Sequence, residues 1–150
     1  MNLRSKSSIS LESRIFVALS QAADTLGQEA EQILKAAGLT TAQYNVLRIL
    51  RGSEPEGLAC RAIGDRMISH DPDMTRLLDR MEKRGMITRE RQTDDRRVVK
   101  TRITPQGLGL LKTLDHPVQD LHKRQFRHMS AARLKILSDL LEEVRVRKPA

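Results

Sequence analysis

Apolar residues recur along this chain at helical spacing almost from its start, and only one interval breaks that rhythm. Between Leu11 and Ala37, Ile15, Leu19, Ala22, Ala23, Leu26, Ala30, Ile33 and Leu34 follow a period near 3.6, and Gly38 ends the run. At ~1.5 Å per residue such a helix would reach roughly 40 Å, and Gly27 is a candidate break within it. A second helix is predicted from Thr40, where Gln43 three residues on completes a capping box. It turns Val46, Leu47 and Leu50 inward and ends near Gly52, and Ser53 to Gly57 read as a loop. A third helix, about Leu58 to Met67, directs Leu58, Ala62, Ile63 and Met67 to the core, and Ile68 to His70 form the turn after it.

The fourth helix is expected to open at Asp71 as N-cap, with Pro72 at its first position and Asp73 complementing the helix dipole. Met74, Leu77, Leu78 and Met81 make one apolar stripe. Arg76, Asp79, Arg80 and Lys83 point away from it, Thr75 lies on a flank, and Gly85 stops the helix. The period then changes to two. Ile87 to Arg91 and Val98 to Ile103 read as paired strands, with Val99, Thr101 and Ile103 on one face and Val98, Lys100 and Arg102 on the other. Thr104 and Pro105 restart a helix carrying Leu108, Leu111, Leu114, Val118 and Leu121, with a bend expected at Pro117. Ser130 caps a last helix whose Leu134, Ile136, Leu137, Leu140, Leu141 and Val144 span roughly 160°, against the ~100° that one packing face requires.

The fold class that follows is mainly α with a small antiparallel β-hairpin. Three helices, the last two tightly linked, followed by a two-stranded wing, is the order of a winged helix-turn-helix. In that arrangement the helix after the turn meets base edges in the major groove, and the hairpin reaches the flanking backbone or minor groove. The hairpin tip, Asp94 to Arg97, holds two acids and two arginines. Asp95 is expected to pair with Arg97 and hold its guanidinium extended, a planar fork suited to phosphate or a narrow minor groove. The surplus apolar surface of the first and last helices marks both as dimerisation helices. The chain is accordingly divided into residues of about 10–38 and 105–147 for dimerisation and about 40–104 for a DNA-binding lobe, within one domain spanning 1–150.

Composition narrows the function further. Among 150 residues, 27 Lys and Arg stand against 19 Asp and Glu, a formal charge of +8 that favours a polyanionic partner. Phe16, Tyr44 and Phe126 are the only aromatic residues, so single-strand binding through base stacking is disfavoured. No segment approaches the roughly 18 apolar residues of a membrane span. Met1 to Ser10 are basic and serine-rich without the apolar core of a signal peptide, and the single cysteine, Cys60, fits a reducing compartment, so a cytoplasmic location is expected. His70, His116, His122 and His128 show no metal-motif spacing, and His122 and His128 lie six apart rather than on one helical face. Neither cofactor, metal nor catalysis is expected. The competing class is a winged helix used as a protein- or RNA-interaction module; Arg89, Arg91, Arg96, Arg97, Lys100 and Arg102 on the wing argue for duplex DNA instead.

Five segments together carry a resemblance: Gly38–Leu47 (GLTTAQYNVL), Pro72–Arg80 (PDMTRLLDR), Glu82–Gly85 (EKRG), Asp95–Arg97 (DRR) and Ile103–Gly107 (ITPQG). In this order and spacing the chain, from Leu11 to Val144, resembles the MarR family of bacterial transcription regulators. The resemblance implies a triangular homodimer, with interleaved terminal helices above two winged-helix lobes, that represses from an inverted-repeat operator. It places major-groove contacts on Pro72, Asp73, Thr75 and Arg76, and a minor-groove contact on Arg97, oriented by Asp95 with Arg96 on the backbone. Arg80 joins this set from the outer face of the same helix. The hairpin tip is about two residues shorter than in many family members. The family also implies a small aromatic or lipophilic acid as effector, held in a cleft near Phe16, Tyr44, Leu47 and Leu111, residues that read equally well as core.

Overall fold

The computed structural model describes residues 8–146. The serine-rich start of the chain (residues 1–7) and the predicted end of the last helix at 147 lie outside the described residues. The elements are α1 (Leu11–Ala36), α2 (Thr41–Arg51), β1 (Leu58–Ala59), α3 (Cys60–Arg66), α4 (Met74–Lys83), β2 (Ile87–Arg91), β3 (Val99–Ile103), α5 (Pro105–Phe126) and α6 (Ala131–Arg145).

Local chemistry sets most boundaries. Ser10 caps α1 by accepting from the Ser13 N–H at 3.1 Å, and α1 then runs 26 residues without a break. Gly27 does not divide it. Nothing lies within 4 Å of where its Cβ would be, and one helical glycine costs only ~1 kcal/mol against alanine. The capping box of α2 is complete, with Thr40 Oγ1 accepting from the Gln43 N–H and Gln43 Oε1 from the Thr40 N–H, both at 3.1 Å. Thr104 and Ser130 cap α5 and α6 through their hydroxyls alone, accepting the N–H of Gly107 and of Arg133, and α5 continues through Pro117 to Phe126.

Two expectations are corrected. Leu58 and Ala59 are not the start of a helix but a strand, paired antiparallel with Thr101 and Lys100. Gly57 turns the chain there at φ 73°, so close to β3 that a Cβ would lie 2.5 Å from the Thr101 carbonyl oxygen. The wing is therefore part of a three-stranded sheet, ordered β1-β3-β2, in which Ile87 faces Ile103 and Arg91 faces Val99. The second correction moves the start of α4 from Asp71 to Asp73. Asp71 closes a tight turn on the Asp73 N–H at 2.8 Å, with Pro72 inside that turn, while Asp73 caps the helix by accepting from the Arg76 N–H at 3.1 Å.

One core joins the lobe to the long helices. Val46, Leu47 and Leu50 of α2, Ile63 of α3, Leu78 and Met81 of α4, Ile87 of β2 and Leu111 of α5 are all within 1% of complete burial. The outer helices are different. Leu34 is the one buried residue of α1, and α6 buries none. Leu11, Ile15 and Phe16 on α1, and Ile136, Leu140, Leu141 and Val144 on α6, stand exposed.

Candidate nucleic-acid interface

Helix α4 divides cleanly. Leu77, Leu78 and Met81 anchor it in the core, and Thr75, Arg76 and Arg80 are exposed on its other side. Asp73 caps the helix and also lies 3.5 Å from the Arg76 guanidinium, both side chains open to solvent. Pro72 is exposed one residue upstream. The turn into the helix is tied back to α2, because Asn45 Oδ1 accepts the Ile68 N–H at 2.7 Å.

The hairpin closes through the Gln92 N–H on the Val98 carbonyl at 2.9 Å. Asp94, Asp95, Arg96 and Arg97 are all exposed at its tip. Asp95 acts differently from expectation: its carboxylate accepts the backbone N–H of Arg97 at 3.0 Å, and its partner is not the guanidinium. A short aspartate reaches the amide two residues on more readily than a side chain that extends away from it. Asp95 therefore shapes the tip, and the Arg97 guanidinium makes no ion pair among the described residues. Arg91 shapes it too, donating to the Arg96 carbonyl at 3.0 Å.

The wing arginines are thus not equivalent. Arg102 donates to the Glu56 carbonyl at 3.4 Å and lies 3.9 Å from Glu90. Arg89 turns inward, its guanidinium donating to Asp79 and, at 2.9 Å, to Glu82, both on α4. Its backbone N–H meets the other Glu82 oxygen at 3.0 Å. The Arg89 hydrogen bond holds the Glu82 carboxyl below the ordinary glutamate range, and Glu82 in turn raises Arg89. Arg96 and Arg97 remain as the outward-facing cations of the tip. From sequence alone Arg89, Arg91 and Arg102 rank with Arg96, Arg97 and Lys100 as wing residues that argue for duplex DNA, and Asn45 gives no signal. The available signal was the spacing of Asp79 and Glu82, i and i+3 on one edge of α4 and next in sequence to a cationic strand.

The residues expected around an effector do not share a cleft. Leu47 and Leu111 are completely buried in the core, and Phe16 is 71% exposed on α1. Tyr44 does line a cleft of about 340 Å³ between α2 and α5, with Arg48, Arg51, Asp115, Val118, Gln119 and His122. Arg51 grips Asp115 through two bonds of 3.0 and 2.9 Å, while Arg48 lies 5.9 Å over the Tyr44 ring. Among the described residues no group of three or more His, Cys, Asp or Glu is placed to hold a metal, and no helix is long and apolar enough to cross a membrane.

Comparison with known proteins meets this geometry. The crystal structure of a MarR transcription factor from Planctomyces limnophilus is 40% identical, covering 89% of this chain and 97% of that one at a TM-score of 0.69. The chain belongs to the MarR family. The MarR family model itself matches residues 39–99, the stretch from the α2 cap to the start of β3. The HTH-type transcriptional regulator TtmR of Methylorubrum extorquens is 36% identical over 106 residues, 71% of this chain, and the match spans about half (53%) of TtmR's length. A mutant MarR from E. coli complexed with operator DNA shares the fold at a TM-score of 0.79, with 22% identity over 91% of this chain and 99% of that one. For this MarR-family chain, then, the family match falls on the lobe that carries α4 and the wing.

Proposed function

We propose that this MarR-family protein acts in the cytoplasm as a homodimeric, sequence-specific repressor on an inverted-repeat duplex operator. The observation that carries the reading is the placement of its exposed cations. The helix that follows the turn is bolted to the core by Leu77, Leu78 and Met81 and leaves Thr75, Arg76 and Arg80 outward, and a hairpin whose tip presents Arg96 and Arg97 stands beside it. A helix of that kind suits base edges, with Pro72 and Asp73 at its entrance, and an arginine tip shaped by Asp95 suits a narrow minor groove.

Dimerisation is supported by α6, which buries none of its own side chains and exposes Ile136, Leu140, Leu141 and Val144. Release by a small acid is supported by the α2–α5 cleft, where Arg48, Tyr44 and His122 offer a cation, a ring and an imidazole between the lobe and the long helices. An effector that favours one spacing of the two lobes shifts DNA affinity, and DNA shifts effector affinity reciprocally.

Selection of bound duplexes from random sequence tests the reading. The expected product is a dyad with half-sites ~10 bp apart, the spacing a two-fold dimer demands, and an affinity that falls steeply with salt. A monomer by light scattering at micromolar concentration, or selected duplexes without a dyad, would refute it. Preferential capture of RNA over duplex DNA would return the interaction-module alternative.

A further inference from the structure

We infer that Arg89, with Asp79 and Glu82, is the positioning clamp that sets the wing's tilt against the recognition helix, and so decides whether the tip reaches the minor groove. The inference rests on the DNA-binding reading above and concerns how that site is held in register.

The geometry carries it. Asp79 and Glu82 sit one turn apart on α4, and Arg89 on β2 bridges both with its guanidinium while its own N–H takes the second Glu82 oxygen. Arg89 is the least exposed of the three, its side chain 23% accessible against 45% for Asp79 and 38% for Glu82. Helix and strand are joined only by residues 84–86. Gly85 lies there at φ 74°, and the Thr104 hydroxyl donates to its carbonyl at 2.6 Å. Those contacts fix where β2 begins. Beyond Arg89, no β2 side chain reaches α4 among the described hydrogen bonds and ion pairs.

The lever is long enough to matter. Arg89 stands about five residues from the tip, roughly 16 Å at ~3.3 Å per residue. A tilt of about 10° at that point moves the tip by ~3 Å, half of the roughly 6 Å width of a minor groove. Charge points the same way. Two carboxylates on the helix that faces a polyanion oppose binding unless they hold something in place, and what they hold is the arm bearing Arg96 and Arg97.

The test separates a positioning role from a loss of stability or of charge. Arg89→Met, Arg89→Lys and Glu82→Gln are compared with the parent chain on the selected operator. One duplex series changes bases under α4, and another exchanges A·T for G·C in the flanks under the wing. The flank preference is expected to fall by roughly tenfold in Arg89→Met and Glu82→Gln, the size of one groove contact, with preferences under α4 kept within about twofold. One guanidinium nitrogen donates to both carboxylates, so Arg89→Lys keeps the charge and a single donor nitrogen on a shorter side chain and should fall between. Glu82→Gln retains one acceptor where the parent uses two, and it carries the test if Arg89→Met does not fold. Flank and central preferences falling together would overturn the inference, as would Glu82→Gln binding every duplex more tightly with its flank preference intact. A parent chain without any sequence preference overturns the regulator reading itself, and this inference with it.

Discussion

Replacing Arg76 by alanine is expected to weaken DNA binding while leaving the fold almost as stable, and the structure sets both magnitudes. The Arg76 side chain is 70% exposed, and its partner Asp73, at 3.5 Å, is 54% exposed. Exposed pairs of that kind contribute ~0–1 kcal/mol, and alanine is at least as good a helix former as arginine. A net change below about 0.5 kcal/mol moves the melting temperature of a domain this size by no more than ~3 °C. A guanidinium that meets a guanine edge with two bonds discriminates by ~1–3 kcal/mol, about 5- to 150-fold in Kd. Two contrasts sharpen the expectation. Asp73→Ala removes the cap that receives the Arg76 N–H and should cost ~1 kcal/mol of stability. Arg97→Ala should cost affinity comparable to Arg76→Ala, about 1–3 kcal/mol, but through A·T-rich flanks rather than base identity. Fluorescence anisotropy on the preferred duplex, its single-base variants and a random duplex, beside thermal melts of each protein, reads all three. If Arg76→Ala and Arg97→Ala lose affinity equally on every sequence, random duplex included, the assignment of Arg76 to base readout is wrong.

Leu140→Asp on α6, 53% exposed in the single chain, should leave that chain folded but shift light scattering toward monomer, since an interface leucine contributes ~1.5–3 kcal/mol per copy; unchanged dimer mass would move the interface elsewhere. Because the Glu82 carboxyl is held low by Arg89, its stabilisation is fully present above the ordinary glutamate value of ~4.3 and is lost as pH falls through the lower folded value. Acid melts of Glu82→Gln should therefore begin to converge with the parent as pH falls below ~4.3 and meet once pH has passed through the lower folded value, and a gap that stays constant throughout would contradict the pairing. In calorimetric titration, salicylate-like acids should bind the free dimer more tightly than its DNA complex, by the factor that corresponds to a coupling of ~1–3 kcal/mol, and Arg48→Ala should abolish the difference; equal affinities leave a regulator controlled by its own abundance.

What the sequence determined by itself was decided within one or two turns of chain. The capping box of Thr40 and Gln43, the Thr104 and Ser130 caps, and the apolar stripe of Met74, Leu77, Leu78 and Met81 are interactions between residues three to seven apart. Their period and order were enough for the winged-helix class, the outward Arg76 and the exposed tip arginines. The apolar surplus of α6 was legible too, since it depends only on the angle its leucines span. Tertiary structure decided the rest. Leu58 and Ala59 are a strand because their partners, Thr101 and Lys100, lie more than forty residues away. Asp71 and Asp73 are equally good caps locally, and the choice between them follows from where the turn around Ile68, anchored by Asn45, delivers the chain. Leu47 and Leu111 are core because folding brings α2 and α5, far apart in sequence, into one buried cluster. Arg89 shows the limit most directly. An arginine reads as free charge in a sequence, yet this one turns inward because folding brings two carboxylates within reach of one guanidinium nitrogen, a charge-assisted pairing that no local pattern announces.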